Sequence, residues 1–214
     1  MRRVLWSLPL VAFAATASAA EIVVDRDTVR AADCEGAAAC TLGAADLSAG
    51  PAPRARLGAQ DYGGVVGIGV AATATGADRD DELQGPVIDT ALPGETLTIE
   101  FERPHAVVRI VIGHLYNPDM PGDPAETAII EAFRDGESLG TLRLQSISDA
   151  EGAFALGGTA RVASVRRLDA RAGQYLMSEP FRGRVDRLVF RAGAVSRGDT
   201  ADYSVVSVVA RPGS

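Results

Sequence analysis

The feature that most constrains the fold is a series of strand-length apolar segments separated by turn-forming residues. Residues 96–102 alternate polar and apolar side chains, which places Leu97, Ile99 and Phe101 on one face of a strand. Residues 106–116 are more continuously apolar, as expected for a central strand covered on both sides. Asp135-Gly136, between two further segments, is a hairpin-turn signal. The pattern predicts antiparallel β-structure.

Strand-length segments of this kind recur at similar spacing to the end of the chain, and their number predicts the fold. The gaps between them are rich in Gly, Pro, Asp and Ser, whereas alternating β and α segments and internal repeats are missing. We therefore predict an all-β chain, a single antiparallel β-sandwich of jelly-roll type with about 8–10 strands. The remaining strand-length segments are 126–134, 138–145, 161–167, 174–177, 184–191 and 202–210.

The first twenty residues have the composition of a secretory signal. Arg2 and Arg3 precede an apolar run at 4–15, and small residues follow up to Ala20. The run is too short to span a bilayer, so we expect a cleaved signal peptide at 1–20 and no membrane span afterwards. The predicted location is periplasmic or secreted.

The two cysteines, Cys34 and Cys40, lie in a segment rich in Ala, Gly and Pro at 31–60. A disulfide bond between them is the simplest interpretation in an oxidising compartment, because their spacing is not CxxC and the histidines are distant. We expect residues 21–60 to form a short first strand and a disulfide-pinned extended segment. The sandwich domain is expected at 61–214, with 21–214 forming one structural unit.

Charge excludes several function classes. Arg2 and Arg3 are the only charged residues in the signal, so residues 21–214 carry 19 basic and 28 acidic side chains, a net charge of −9. Every basic residue is Arg, which rules out Schiff-base lysine chemistry and a phosphate-loop lysine. An acidic chain without basic runs also lacks the phosphate-neutralising charge that dominates nucleic-acid affinity, so we expect no nucleic-acid partner.

The densest acidic cluster, residues 78–82, is a candidate calcium site together with Asp89. Its proposed ligands are Asp78, Asp80 and Asp89, because calcium takes six to eight oxygen ligands. The cluster is not an EF-hand, since Leu83 occupies the position that requires glycine. The alternative is a solvated acidic loop that keeps an exported protein soluble.

A second polar cluster at 114–126 follows the most apolar strand and contains His114. Asn117 is a candidate ligand-binding residue, and Asp119 and Asp123 are candidate metal ligands, in a loop expected at one end of the sandwich. The alternative is a set of turn formers, because Asn-Pro and Pro-Gly-Asp favour turns. No HExxH motif is present.

Catalysis has little support in the sequence, and sugar binding has some. No GxSxG motif occurs, and both cysteines are expected to be bonded. Carbohydrate sites stack rings on Trp or Tyr, yet the only Trp, Trp6, lies in the signal. Tyr116 and Tyr175 are therefore the candidate ligand-binding platforms, and Tyr203 is expected to be partly in the core.

The sequence resembles a group of secreted bacterial β-sandwich proteins that often end in a PEP-CTERM sorting signal. The resemblance rests on Gly67-Ile-Gly-Val, on residues 80–89, on 95–101, and on Asp202-Tyr203 at the last strand. It implies an extracytoplasmic binding or structural module. The chain departs from the group because no sorting motif follows the last strand.

Three functional hypotheses follow from these observations. The leading one is an exported, non-catalytic β-sandwich that binds a ligand or partner outside the cytoplasm and is stabilised by calcium. The second is a structural or matrix-associated protein without a small-molecule site. The third is a small hydrolase acting on an envelope or extracellular polymer.

Overall fold

The computed structural model is built almost entirely of antiparallel strands, which confirms the all-β prediction. It describes residues 20–51, 53–62, 64–71, 83, 85, 94–116, 125–148, 153–169, 173–194 and 202–212. Within these ranges there are thirteen strands and one short helix, α1 (Arg26–Ala31). The strands are β1 (Ile22–Asp25), β2 (Ala39–Leu42), β3 (Ala45–Gly50), β4 (Arg56–Tyr62), β5 (Val65–Ala71), β6 (Thr96–Gly113), β7 (Thr127–Arg134), β8 (Glu137–Ser148), β9 (Ala153–Gly158), β10 (Ser164–Asp169), β11 (Gln174–Ser178), β12 (Val185–Ala192) and β13 (Ser204–Pro212).

The longest strand, β6, organises the whole fold because its two halves pair with different neighbours. Residues 96–101 pair with β3 and β12, whereas the second half pairs with β13 and β11. Between the halves the register with β12 shifts, near Pro104, which cannot donate a ladder hydrogen bond. One half of the network, here called the front sheet, has the order β2-β3-β6-β12-β7-β8-β9. The back sheet has the order β4-β5-β13-β6-β11-β10, with β1 also on β13.

The two sheets face each other across one core. The hydroxyl groups of Tyr175 in the back sheet and Ser146 in the front sheet are 3.3 Å apart. The hydroxyl of Tyr203, beside the back sheet, donates to the carbonyl of Ile129 in the front sheet at 3.4 Å. The alternating residues Leu97, Ile99 and Phe101 are buried in this core as predicted. These contacts give the arrangement of a β-sandwich.

The strand count of 8–10 was too low, because strands formed where the local pattern predicted none. Segments 96–102 and 106–116 are one strand, the glycine-rich segment with Gly67-Ile-Gly-Val is β5, and β2, β3, β4 and β9 are additional. The segment 31–60, predicted as an extended connection, contains three of these four. It is ordered by pairing with β6, since Ala45–Gly50 lies against Thr96–Phe101. Helix α1 was also not predicted; Asp25 caps it by accepting from the N–H of Thr28 at 2.9 Å.

Candidate functional site at the loop end

Five chain segments leave from and return to the same end of the sandwich, here called the loop end. The described residues that flank them are neighbours: Gly113 pairs with Ser204, and Ala128 pairs with Ala192. The N–H of Leu83 donates to the carbonyl of Tyr203 at 2.8 Å, which places this residue at the same end. The five segments are 72–93 (of which only Leu83 and Gly85 are described), 117–124, 149–152, 170–172 and 195–201.

These five segments carry a strong excess of negative charge. They contain ten acidic and three basic residues. Every residue predicted from the sequence as a metal ligand belongs to them, as does the predicted ligand-binding residue Asn117. The predicted metal ligands are Asp78, Asp80, Asp89, Asp119 and Asp123, and all six residues lie outside the described part of the chain. The topology therefore brings the flanks of the two acidic clusters to one end.

Buried polar residues are concentrated beneath this end. Among the described residues, the buried polar or charged ones are Glu95, His105, His114, Ser146 and Ser204. All except His105 lie at the loop end, at the start or end of strands. A buried polar group is costly unless it is hydrogen-bonded, so a concentration of such groups requires a matched network.

The centre of this network is a hydrogen-bonded pair, His114 and Ser204. The His114 Nε2 atom is 3.2 Å from the carbonyl oxygen of Val65, which can only accept, so Nε2 carries the proton and donates. In the neutral ring Nδ1 is then an acceptor, and the Ser204 hydroxyl donates to it at 2.9 Å. His114 has a φ of 60°, a left-handed conformation that turns the chain at the end of β6. The ring thus ties together β5, β6 and β13.

A Ser–His hydrogen bond is also the first element of a nucleophilic catalytic site. Both residues are fully buried in this structure, and the second ring nitrogen is bonded to a backbone carbonyl rather than to a carboxylate. We therefore interpret the pair as a structural clamp. Ninety residues separate His114 and Ser204 in sequence, so no local motif could have predicted that they form a pair.

Tyr116, predicted as a ligand platform, lies at the base of the 117–124 segment and is half-buried. Its backbone N–H donates to the carboxylate of Glu126, the first acidic residue described after that segment. This bond holds together the two ends of the segment. Tyr116 therefore lies where a ligand bound at the loop end would be, and its role as a binding residue stays a prediction.

Tyr175, the second predicted platform, is fully buried, so its assignment as a surface platform is wrong. Its ring packs edge-on against Phe154 at 5.9 Å, and the guanidinium of Arg167 lies 5.8 Å from its centre. A ring covered in this way has no face on which a sugar could stack. Tyr203 is also fully buried rather than partly so, and desolvation raises its pKa well above the usual range.

The predicted disulfide is present: the sulfur atoms of Cys34 and Cys40 are 2.15 Å apart. Cys34 is fully buried in the core. In the described part of the chain no three His, Cys, Asp or Glu side chains come together as a metal site. No helix among the described residues is long and apolar enough to cross a membrane.

No protein-family model, curated protein or solved structure matches this chain. The chemistry of the loop end, a rigid polar base beneath acidic segments, is therefore the ground for a functional assignment.

Proposed function

We propose that the chain is an exported β-sandwich module that binds a ligand or partner with its loop end, outside the cytoplasm, and that calcium bound among the acidic segments stabilises this end. The observation on which the proposal rests is that the acidic segments leave the sheets at the same end of the sandwich. Leu83 of segment 72–93 bonds to Tyr203, and the next residue, Ser204, pairs with Gly113 shortly before segment 117–124.

Calcium suits this arrangement better than a metal that prefers nitrogen or sulfur ligands. The segments supply carboxylate and amide oxygens, the hard ligands that calcium takes in sets of six to eight. Both cysteines are bonded to each other, and both nitrogens of His114 are hydrogen-bonded to protein groups. The clamp lies at the described residues from which these segments leave the sheets.

Export is supported by two independent features. The residues before Glu21 have the n-region, apolar core and small-residue end of a signal peptide. A disulfide between Cys34 and Cys40 persists in an oxidising compartment rather than in the cytosol.

Thermal unfolding of residues 21–214 in calcium and in EDTA tests the metal component. At a calcium concentration one hundred times its Kd, binding stabilises by about 2.7 kcal/mol, which is about 5–11 °C in Tm for a chain of this size. We expect this shift to be lost in Asp80→Ala and Asp119→Ala. Glu137→Ala, an exposed residue in the hairpin at the opposite end, serves as the matched control and should retain the shift.

Equal Tm values in calcium and EDTA would refute the calcium site, and a shift that survives in both aspartate variants would place it elsewhere. Export is tested separately by expressing the full chain in a Gram-negative host. Mass spectrometry of the periplasmic fraction should find a product that begins near Glu21. A full-length product confined to the cytoplasm would contradict export.

A further inference from the structure

The two lateral edges of the sandwich differ, and the difference begins with the edge formed by β2 and β4. There, the N–H of Gly36 donates to the carbonyl of Leu57 at 2.8 Å, and the N–H of Leu57 donates to the carbonyl of Ala37 at 2.7 Å. Residues of the disulfide loop therefore bond to the outer side of β4. This edge is covered by the chain itself.

The opposite edge, formed by β9 and β10 and here called the open edge, has no such cover within the described residues. β9 pairs only with β8, and β10 pairs only with β11. The sequence of β9, Ala-Phe-Ala-Leu-Gly-Gly, contains neither a charged residue nor a proline. Proteins normally protect a free edge strand with features that include charges and proline, and β9 has neither of these.

The open edge is also where apolar side chains are exposed. Among the described residues the exposed large hydrophobic side chains are Leu139 (37 %), Ile147 (50 %), Leu156 (46 %) and Leu168 (41 %), all on β8, β9 and β10. Leu156 pairs with the buried Leu144, so it points to the inner side, and no strand among the described residues lies beyond β9 to cover it. Phe154, Val162 and Val165 are half-buried against the core. The exposed inner side of β9 at Leu156, here called the slot, is an apolar surface that further apolar side chains can cover.

Exposed arginines lie on β8, on β10 and on the connection between β9 and β10, although the chain as a whole is acidic. Arg143, Arg161 and Arg166 are exposed, and none makes an ion pair with another described residue. Arg143 on β8 lies opposite Gly157 on β9. Because Gly157 has no side chain, the Arg143 guanidinium can reach across β9 to a strand added at its free side. An incoming strand with acidic residues on its outer face would meet Arg143.

We propose that β9 binds an extended segment of a partner protein as an added strand, with apolar side chains alternating with acidic ones. The backbone of the segment pairs with the free side of β9, its apolar side chains enter the slot beside Leu156, and its acidic side chains face Arg143. The site is separate from the loop end and does not depend on the function proposed for it.

A fluorescent seven-residue peptide of alternating valine and glutamate is the probe, and fluorescence anisotropy with residues 21–214 is the measurement. We expect saturable binding that weakens at least tenfold between 50 mM and 500 mM salt, because the guanidinium–carboxylate contacts are exposed. The same peptide with lysine in place of glutamate should bind at least tenfold more weakly. In an extended peptide the N–H groups of the valines point to one side and those of the glutamates to the other. We therefore use two N-methylated peptides, one methylated at the valines and one at the glutamates. The peptide whose methyl groups face β9 should not bind.

Two variants of the protein locate the site. Leu156→Lys places a charge in the slot at a position already exposed, and should weaken the peptide at least tenfold with no change in the far-UV spectrum. Arg143→Glu should weaken it at least tenfold at 50 mM salt and abolish the further loss of binding when salt is added. Arg54→Glu, an exposed arginine near the covered edge, should leave binding unchanged.

The proposal is overturned if the acidic peptide does not saturate, or if Leu156→Lys and N-methylation leave its binding unchanged. Concentration-dependent dimerisation that Leu156→Lys abolishes, without peptide binding, would also overturn it, because the occupant of the edge would then be a second copy of the chain.

Discussion

Replacing Gly67 by alanine tests the His114–Ser204 clamp directly. Gly67 lies on β5 directly against the Ser204 side chain, and a methyl group there would overlap both the hydroxyl oxygen and the Cβ of Ser204. The nearest Ser204 backbone atom, its carbonyl carbon, would lie 3.5 Å from that methyl, an ordinary contact. The overlap is therefore confined to one side chain, and Ser204→Gly removes it.

The magnitudes follow from the two groups that are disturbed. Overpacking a core position costs about 1–3 kcal/mol, and displacing the serine leaves the buried Nδ1 of His114 without its donor, which costs about 1–3 kcal/mol more. Gly67→Ala should thus lower the free energy of unfolding by about 2–6 kcal/mol. Ser204→Gly alone should cost about 2–4 kcal/mol, from the same lost bond and a glycine in a strand.

The double variant distinguishes this explanation from a general intolerance of alanine at position 67. With no side chain at 204, the new methyl group meets no overlapping atom of that residue, so the double variant should be within about 1 kcal/mol of Ser204→Gly. The two substitutions are then non-additive by about 2–6 kcal/mol.

Urea unfolding of residues 21–214 followed by far-UV circular dichroism gives these free energies. Tryptophan fluorescence does not serve, because the only tryptophan, Trp6, precedes this range. Gly157→Ala is the matched control: its methyl group would meet only the Arg143 side chain, at 3.8 Å, so stability should change by less than about 1 kcal/mol. Additivity within about 0.5 kcal/mol, or a neutral Gly67→Ala, would refute the clamp.

Two further predictions concern the disulfide and a buried tyrosine. Replacing Cys34 and Cys40 by serine should cost at least about 2–2.5 kcal/mol, the chain entropy of a loop this small, and dithiothreitol should then destabilise the wild type but not the variant in urea titrations. The folded-state pKa of Tyr203 is raised by burial, so its neutral form gives full stability below the unfolded pKa of about 10, and stability falls above that pH. Tyr203→Phe should reduce the slope of stability against pH by up to about 1.4 kcal/mol per unit in alkaline urea titrations; an unchanged slope would contradict this reasoning.

The local sequence pattern predicted strands well where alternation alone orders them. Residues 96–102 show this, with their apolar side chains buried on one face. The pattern failed at β3, because Ala45–Gly50 is stabilised by pairing with β6 some fifty residues later, and alanine, serine and glycine carry no local strand signal. It also divided β6 at Pro104, where the strand passes from one sheet to the other.

The sequence predicted that polar loops lie at one end of the sandwich, but it did not predict the buried hydrogen bonds beneath them. Turn residues and acidic clusters indicated the polar end, and the bond between the two flanks of residues 117–124 is consistent with it. The partners of buried polar groups come from distant strands: Ser204 reaches His114, and Ser146 reaches Tyr175 from the opposite sheet. A tyrosine in an alternating segment has the same pattern whether its hydroxyl meets water or a buried serine, and so Tyr175 was misassigned.

The disulfide acts on more than the entropy of its own small loop. Cys34 and Cys40 bracket Gly36 and Ala37, the two residues that bond to Leu57 and cover the outer side of β4. Restricting this loop holds those donors and acceptors in place, so the bond maintains a covered edge. Among the described residues, a chain segment thus covers the edge strand β4 but not the edge strand β9. An uncovered, uncharged edge strand favours aggregation. The exposure of β9 is therefore better explained by a strand that binds there than by an edge strand without a partner.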